Sequence, residues 1–208
     1  MKILPRNRRL GILISGRGSN FAAIADNIAA GILDAEIAVV ISNVENAPGL
    51  ALARQRGLNA VVIPSRGKSR EQFDRQLVDA LVTNDVGLVV LAGFMRIFSS
   101  VILAAYPNLI VNIHPSLLPC FPGLEPQKQA LDHGVKVSGC TVHIVNGVLD
   151  GGPILLQTAV PVLNEDTVET LSARILREEH LTYWRAVDLL LSGQCEIHGR
   201  RIVLTQKP

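Results

Sequence analysis

Apolar positions along the chain fall into short unbroken runs that alternate with stretches of helical period. The runs are Leu10-Gly11-Ile12-Leu13-Ile14-Ser15, Glu36 to Ser42, Ala60 to Ile63, Leu88 to Ala92 and Leu109 to Ile113. Runs of this kind predict strands buried on both faces. Between them, Phe21, Ile24, Ala25 and Ile28 recur at helical spacing, as do Phe73, Leu77, Ala80 and Leu81. A further helix is predicted from Gly49 to Arg56, with Gly57 to close it and Gly31 to close the first. Alternating strands and helices imply a parallel, doubly wound sheet. Right-handed crossovers then put helices on both of its faces.

The pattern changes after residue 113. Gln127 to His133 reads as a helix ended by Gly134. Gly139 to Val145 and Ile154 to Val160 read as strands with no helix between them, so they are predicted to pair antiparallel. Thr167 to Leu191 is a long amphipathic helix ended by Gly193. Gln194 to Pro208 is a tail with one strand at Arg201 to Leu204, and Met1 to Arg9 is expected to be a frayed leader. The fold class is α/β: one domain, a doubly wound and mostly parallel sheet with an antiparallel extension, and no linker or repeat.

Composition narrows the function more than the fold. With 208 residues, 48% hydrophobic and 18% charged, the chain can bury a sizeable core and is not disordered. A net charge of +2 gives no electrostatic footprint for nucleic acid. No apolar run approaches the roughly 20 residues of a membrane span. Cys120, Cys140 and Cys195 are odd in number and widely spaced, which argues against disulfides or a zinc site and suits a reducing cytoplasm.

Three stretches carry candidate chemistry. Asn112 and His114 end a buried strand just before Pro115, which stops the ladder. In an open α/β sheet, ligands bind outside the carboxyl ends of the strands. A structural hydrogen-bonding role is the competing reading for this Asn-x-His. Gly16-Arg17-Gly18-Ser19-Asn20 joins a strand to a helix and suits a single phosphate, because free N–H groups at a helix start face the ligand. It has neither the third glycine of a dinucleotide site nor a Walker lysine. A tight turn with Ser19 capping the helix is the alternative. Asp150 lies among Gly147, Gly151 and Gly152 and could reach the histidine, or could serve only as a turn residue. An amide and a protonated imidazole aimed at one point make an oxyanion site. Ser116 lies in no nucleophile elbow, and His114, His133 and His143 lack metal-ligand spacing. What remains is acyl-type transfer to a nucleophile brought by the substrate.

Five motifs together resemble the phosphoribosylglycinamide formyltransferases, folate-dependent enzymes of purine synthesis. They are Gly16-Arg17-Gly18-Ser19-Asn20, Gly93-Phe94-Met95-Arg96, Asn112-Ile113-His114-Pro115-Ser116-Leu117-Leu118-Pro119, Phe121-Pro122-Gly123 and Leu149-Asp150-Gly151-Gly152-Pro153. The resemblance runs from about Leu10 to Gly193 and implies a Rossmann-like formyltransferase fold. It implies that Gly18, Ser19, Asn20 and Glu179 bind glycinamide ribonucleotide. Arg70, Met95, Arg96, Ile97, Phe98 and Asn112 would contact 10-formyltetrahydrofolate. Asn112 would orient the formyl oxygen, His114 would carry the proton, and Asp150 would favour its charged form. A solvated helix carboxylate is the other reading of Glu179.

The implied division puts the phosphoribosyl substrate on about residues 1–106, the folate and catalysis on about 107–193, and a tail at 194–208. The partners implied are these two small molecules, with no metal, nucleic acid or membrane, in a cytoplasmic monomer or homodimer. Two departures stand out: Glu125-Pro126 puts an acid and a stiff residue at the mouth of the site, and Phe98 predicts a tighter pterin pocket. A formyltetrahydrofolate hydrolase is the nearer alternative, although the chain leaves no room for the regulatory domain such enzymes usually carry. A non-catalytic nucleotide- or folate-binding protein is the more distant one.

Overall fold

The computed structural model describes residues 1–205. Five parallel strands form one side of its sheet: β1 (Arg9–Ile14), β2 (Glu36–Ser42), β3 (Ala60–Val62), β4 (Leu88–Leu91) and β5 (Ile110–His114). Helices α1 (Ser19–Ala29), α2 (Pro48–Gln55), α3 (Arg70–Thr83) and α4 (Ser100–Ala105) make the crossovers. After α5 (Pro126–Asp132), β6 (Val137–Ile144) pairs antiparallel with β5, and β7 (Ile154–Pro161) pairs antiparallel with β6. Then come α6 (Val168–Leu191) and the hairpin of β8 (Cys195–His198) and β9 (Arg201–Leu204). Among the described residues the sheet order is β3-β2-β1-β4-β5-β6-β7-β9-β8.

Alternation along the strands divides the core in two, since successive side chains point to opposite faces. Leu10, Ile12, Val40, Val90 and Val111 pack with Phe21 and Ile24 of α1 and with Ile175, Ala186 and Val187 of α6. Leu13, Val39, Ile41, Val89 and Ile110 pack with Phe73, Leu77 and Leu81 of α3 and with Ile102 of α4. Full burial on both sides explains why these strands read as unbroken apolar runs. Helix α6 begins with a capping box: the Thr167 hydroxyl takes the Thr170 N–H, and the Thr170 hydroxyl takes the Thr167 N–H. Its Tyr183 hydroxyl donates to the Leu91 and Val111 carbonyls at 2.8 and 3.0 Å, which ties the helix to β4 and β5.

The structure corrects the sequence reading in three places. Met1 to Arg9 is not frayed. Ile3 is buried and its N–H bonds to the Cys195 carbonyl at 2.8 Å, Met1 and Ile197 exchange backbone bonds, and Asn7 bonds to Asp85. The tail holds two strands rather than one, of which β9 joins β7; residues 206–208 of the predicted tail lie outside the described residues. Helix α4, capped by Ser99, was not predicted, because one short turn after a loop leaves almost no periodic signal.

Candidate active site

Asn112 and His114 are two residues apart on β5 and so share one face of the sheet. Antiparallel pairing sets Asn112 opposite His143 of β6 and His114 opposite Thr141. Directly opposed side chains touch, and Asn112 Nδ2 lies 3.3 Å from His143 Nε2. His143 Nδ1 faces the Ile144 carbonyl at 3.1 Å. A carbonyl only accepts, so Nδ1 carries a hydrogen; in the neutral ring Nε2 then accepts from Asn112. The second N–H of Asn112 is left for a ligand.

Asp150 folds over this face from the loop after β6. Its backbone is left-handed, with φ 48°. At the end of that loop, a Cβ on Gly152 would run into the Ile144 carbonyl, so glycine is required there. The Asp150 carboxylate accepts the Gly123 N–H at 2.8 Å. It lies 3.5 Å from His114 Nδ1 and 3.6 Å from His143 Nε2. These are electrostatic approaches at the outer limit of hydrogen bonding. Burial pushes the Asp150 carboxyl up, but His143, the Gly123 N–H and His114 together outweigh it and hold the group below its ordinary value. The acid is thus both a turn residue and a neighbour of two imidazoles. His114 is 6% exposed, and its Nε2 lies 2.9 Å from the Phe121 carbonyl.

The glycine loop supplies the opposite side. Gly18, at φ 72°, precedes the first helical residue of α1, and no side chain caps the helix. Ser19 is therefore inside the helix and is not its cap. The first-turn N–H groups have no helical partner. Asn20 Nδ2 donates to Glu179 Oε2 of α6 at 2.7 Å, whereas the buried Asn20 Oδ1 has no partner. Glu179 is 6% exposed, which rules out a solvated helix carboxylate. Burial pushes its carboxyl up to about 6, against the opposing pull of the Asn20 bond.

A cavity of about 810 Å³ joins these groups. Its lining includes Asn20, Asn112, His114, Asp150 and Glu179 from the predicted set, and Met95, Arg96 and Ile97 from the loop after β4. That loop is pinned at both ends. The Ser15 hydroxyl accepts the Met95 N–H at 2.8 Å, and buried Asp74 accepts the Ser99 N–H and hydroxyl at 2.6 and 2.7 Å. The Arg96 guanidinium lies 5.2 Å from the Phe73 ring centre. Phe98 stacks on Phe94 and lines an adjoining cavity of about 120 Å³. Glu125 and Pro126 line the main cavity. Gly18 and Ser19 adjoin the cavity through Arg17 and Asn20 without lining it. Arg70 is not in the site: it is exposed in the first turn of α3 and lines neither cavity.

Residue-level reading missed His143, Arg17, Ser172 and Leu176. Ser172 and Leu176 stand seven and three residues before Glu179 on α6, and that spacing was a usable signal. His143 becomes visible only once the register of β5 on β6 is known.

This fold and site define a formyl transferase. The formyl transferase family model matches residues 8–187, and the chain belongs to that family. Within it, the chain is similar to glycinamide ribonucleotide transformylase 1 from Symbiobacterium toebii, with 50% identity and a TM-score of 0.94 over 96% of this chain and 95% of that one. It is 40% identical over 188 residues to the phosphoribosylglycinamide formyltransferase of Escherichia coli, covering 90% of this chain and 89% of that protein. It is 44% identical over 192 residues to the trifunctional purine biosynthetic protein adenosine-3 of Drosophila melanogaster. There it covers 90% of its own length but spans only 14% of the longer protein.

Proposed function

We propose that the chain transfers the formyl group of 10-formyltetrahydrofolate to the amine of glycinamide ribonucleotide. The observation that carries this reading is one cavity lined by Asn112, His114 and Asp150 on one side and by Asn20 and Glu179 on the other. Its volume, about 810 Å³, is within the usual range for a site that engulfs small molecules. The ribonucleotide phosphate meets the free N–H groups of Gly18, Ser19 and Asn20, where the helix start favours negative charge. Glu179 and Asn20 Oδ1 accept hydrogens from the rest of that substrate. The formyl folate lies along Met95, Arg96, Ile97 and Phe98, and Arg70 would meet only a part of it that extends beyond the cavity. On this division, about residues 1–106 hold the ribonucleotide together with Glu179, and about 107–193 supply catalysis and most of the remaining folate contacts.

The amine attacks the formyl carbon, a new C–N bond forms, and the carbonyl oxygen gains negative charge. The free N–H of Asn112 and the protonated imidazole of His114 stabilise that oxygen. The attacking nitrogen loses a proton, the leaving folate nitrogen gains one through His114 or water, and the old C–N bond breaks. Asp150 stabilises the imidazolium. Holding both substrates in line supplies much of the rate. The working form is a cytoplasmic monomer or homodimer.

A direct assay mixes the purified chain with 10-formyltetrahydrofolate, with and without glycinamide ribonucleotide. Folate deformylation should require the amine, and N-formylated ribonucleotide should accumulate with it. Equal release of formate without the amine would make the chain a hydrolase.

A further inference from the structure

We propose that the main-chain carbonyl of Phe121 is a positioning group that makes Nδ1 of His114 the nitrogen carrying the mobile proton. His114 Nε2 lies 2.9 Å from that carbonyl. Because a carbonyl can only accept, Nε2 keeps its hydrogen in both charge states of the ring. The proton that comes and goes is then on Nδ1, which faces Asp150 Oδ2 at 3.5 Å. The imidazolium hands this Nδ1 proton to the leaving folate nitrogen, the ring regains one at Nδ1 from the attacking nitrogen, and Asp150 stabilises the cation.

The backbone is built to hold this contact. Phe121 has φ 55°, a left-handed conformation that is an outlier for a bulky side chain. Strain of this kind persists only where the surroundings over-determine it. Here the Ser116 hydroxyl donates to the Cys120 carbonyl at 2.6 Å, and the Thr141 hydroxyl donates to the Ser116 carbonyl at 2.7 Å. Gln157 donates to the Leu118 carbonyl and to Thr141, both at 2.9 Å. Two residues past Phe121, the Gly123 N–H holds Asp150 Oδ2 at 2.8 Å. One three-residue segment therefore grips both members of the His114–Asp150 pair. It accepts from the first and donates to the second.

The mechanistic meaning rests on the formyl-transfer reading, but the tautomer does not. Nitrogen-15 labelling of the histidines gives the protonation of each ring nitrogen directly. At about pH 9, where an ordinary imidazole is neutral, His114 should be protonated at Nε2 and bare at Nδ1. Two substitutions then separate backbone from side chain. Phe121→Asn and Phe121→Val both remove the aromatic ring, but only asparagine tolerates the left-handed backbone. The valine variant should lose about tenfold or more in kcat, with KM for both substrates within about twofold, and its His114 should show mixed tautomers. The asparagine variant should restore turnover to within about threefold of wild type and recover the Nε2–H form. A wild-type ring protonated at Nδ1 alone would overturn the proposal, whether or not the variants fold. So would equal loss of turnover in both variants with an unchanged tautomer. A wild-type chain that carries the Nε2–H form yet transfers no formyl group would support the Phe121 contact and sink the assigned reaction.

Discussion

Glu179→Gln should make the fold more stable at alkaline pH while weakening the site. Burial raises the folded-state carboxyl from its ordinary 4.5 to about 6. The folded chain thus binds this proton more tightly than the unfolded chain does, and ionising the group costs stability. The cost is absent below about pH 4.5, grows as pH rises towards about 6, and is fully present above it. At about 1.4 kcal/mol per pH unit, that gap is worth about 2 kcal/mol. Glutamine is isosteric, and its carbonyl can keep the bond from Asn20 Nδ2, now 2.7 Å from Glu179 Oε2. Thermal unfolding at about pH 4 and pH 8 tests the reasoning. The proteins should melt together at the lower pH, and the variant should melt about 4 to 8 °C higher at the upper one. A constant difference at both pH values would trace the effect to packing and refute the argument. A less stable variant at pH 8 would show that the native site stabilises the carboxylate. KM for the ribonucleotide should rise in the same variant.

His114→Ala should lower kcat by about 100-fold or more with little change in folate binding, measured by fluorescence titration. Asp150→Asn should lower kcat in the same assay and remove the acid-side stability loss that a depressed carboxyl causes as pH falls below its ordinary value of 3.8. Ser19→Pro, at the first turn of α1, should raise KM for the ribonucleotide and leave folate affinity near wild type. The reverse outcome would exchange the two halves of the site. Burial pushes Cys140 up to about 12 and Cys195 up to about 11, whereas Cys120 is exposed. A thiol reagent should therefore label Cys120 alone in the native protein and all three cysteines in denaturant.

Much of this architecture was legible in the chain because burial on both faces writes itself as unbroken apolar runs. Leu88 to Leu91 and Ile110 to His114 could hardly be anything but central strands, and proline after His114 marks where the ladder stops. The candidate catalytic face was legible in part, since Asn112 and His114 share a face by their spacing alone. His143 was not, because its partner on β5 depends on a register that hairpin length and side-chain packing settle together. Phe121 was hidden for a different reason: its contribution is a carbonyl, and any residue type carries one. Ile3 looked loose because one apolar residue in a basic leader gives no period, yet it is buried against the far end of the sheet. Arg70 shows the converse limit, since a matched motif places a residue in the chain but not its side chain in the cavity.

The pairing of the first residues with the last hairpin also bears on how this unit can be rearranged. The N–H groups of Ile3 and Thr205 bond to the carbonyls of the consecutive residues Cys195 and Gln194. Ile3 and Thr205 are therefore held side by side at the start of β8. Among the described residues, none before Arg17 and none after Glu179 lines the cavity. A circular permutant, joined across this seam by a short flexible linker and reopened at an exposed turn such as that at Gly57, would keep every cavity-lining residue in place.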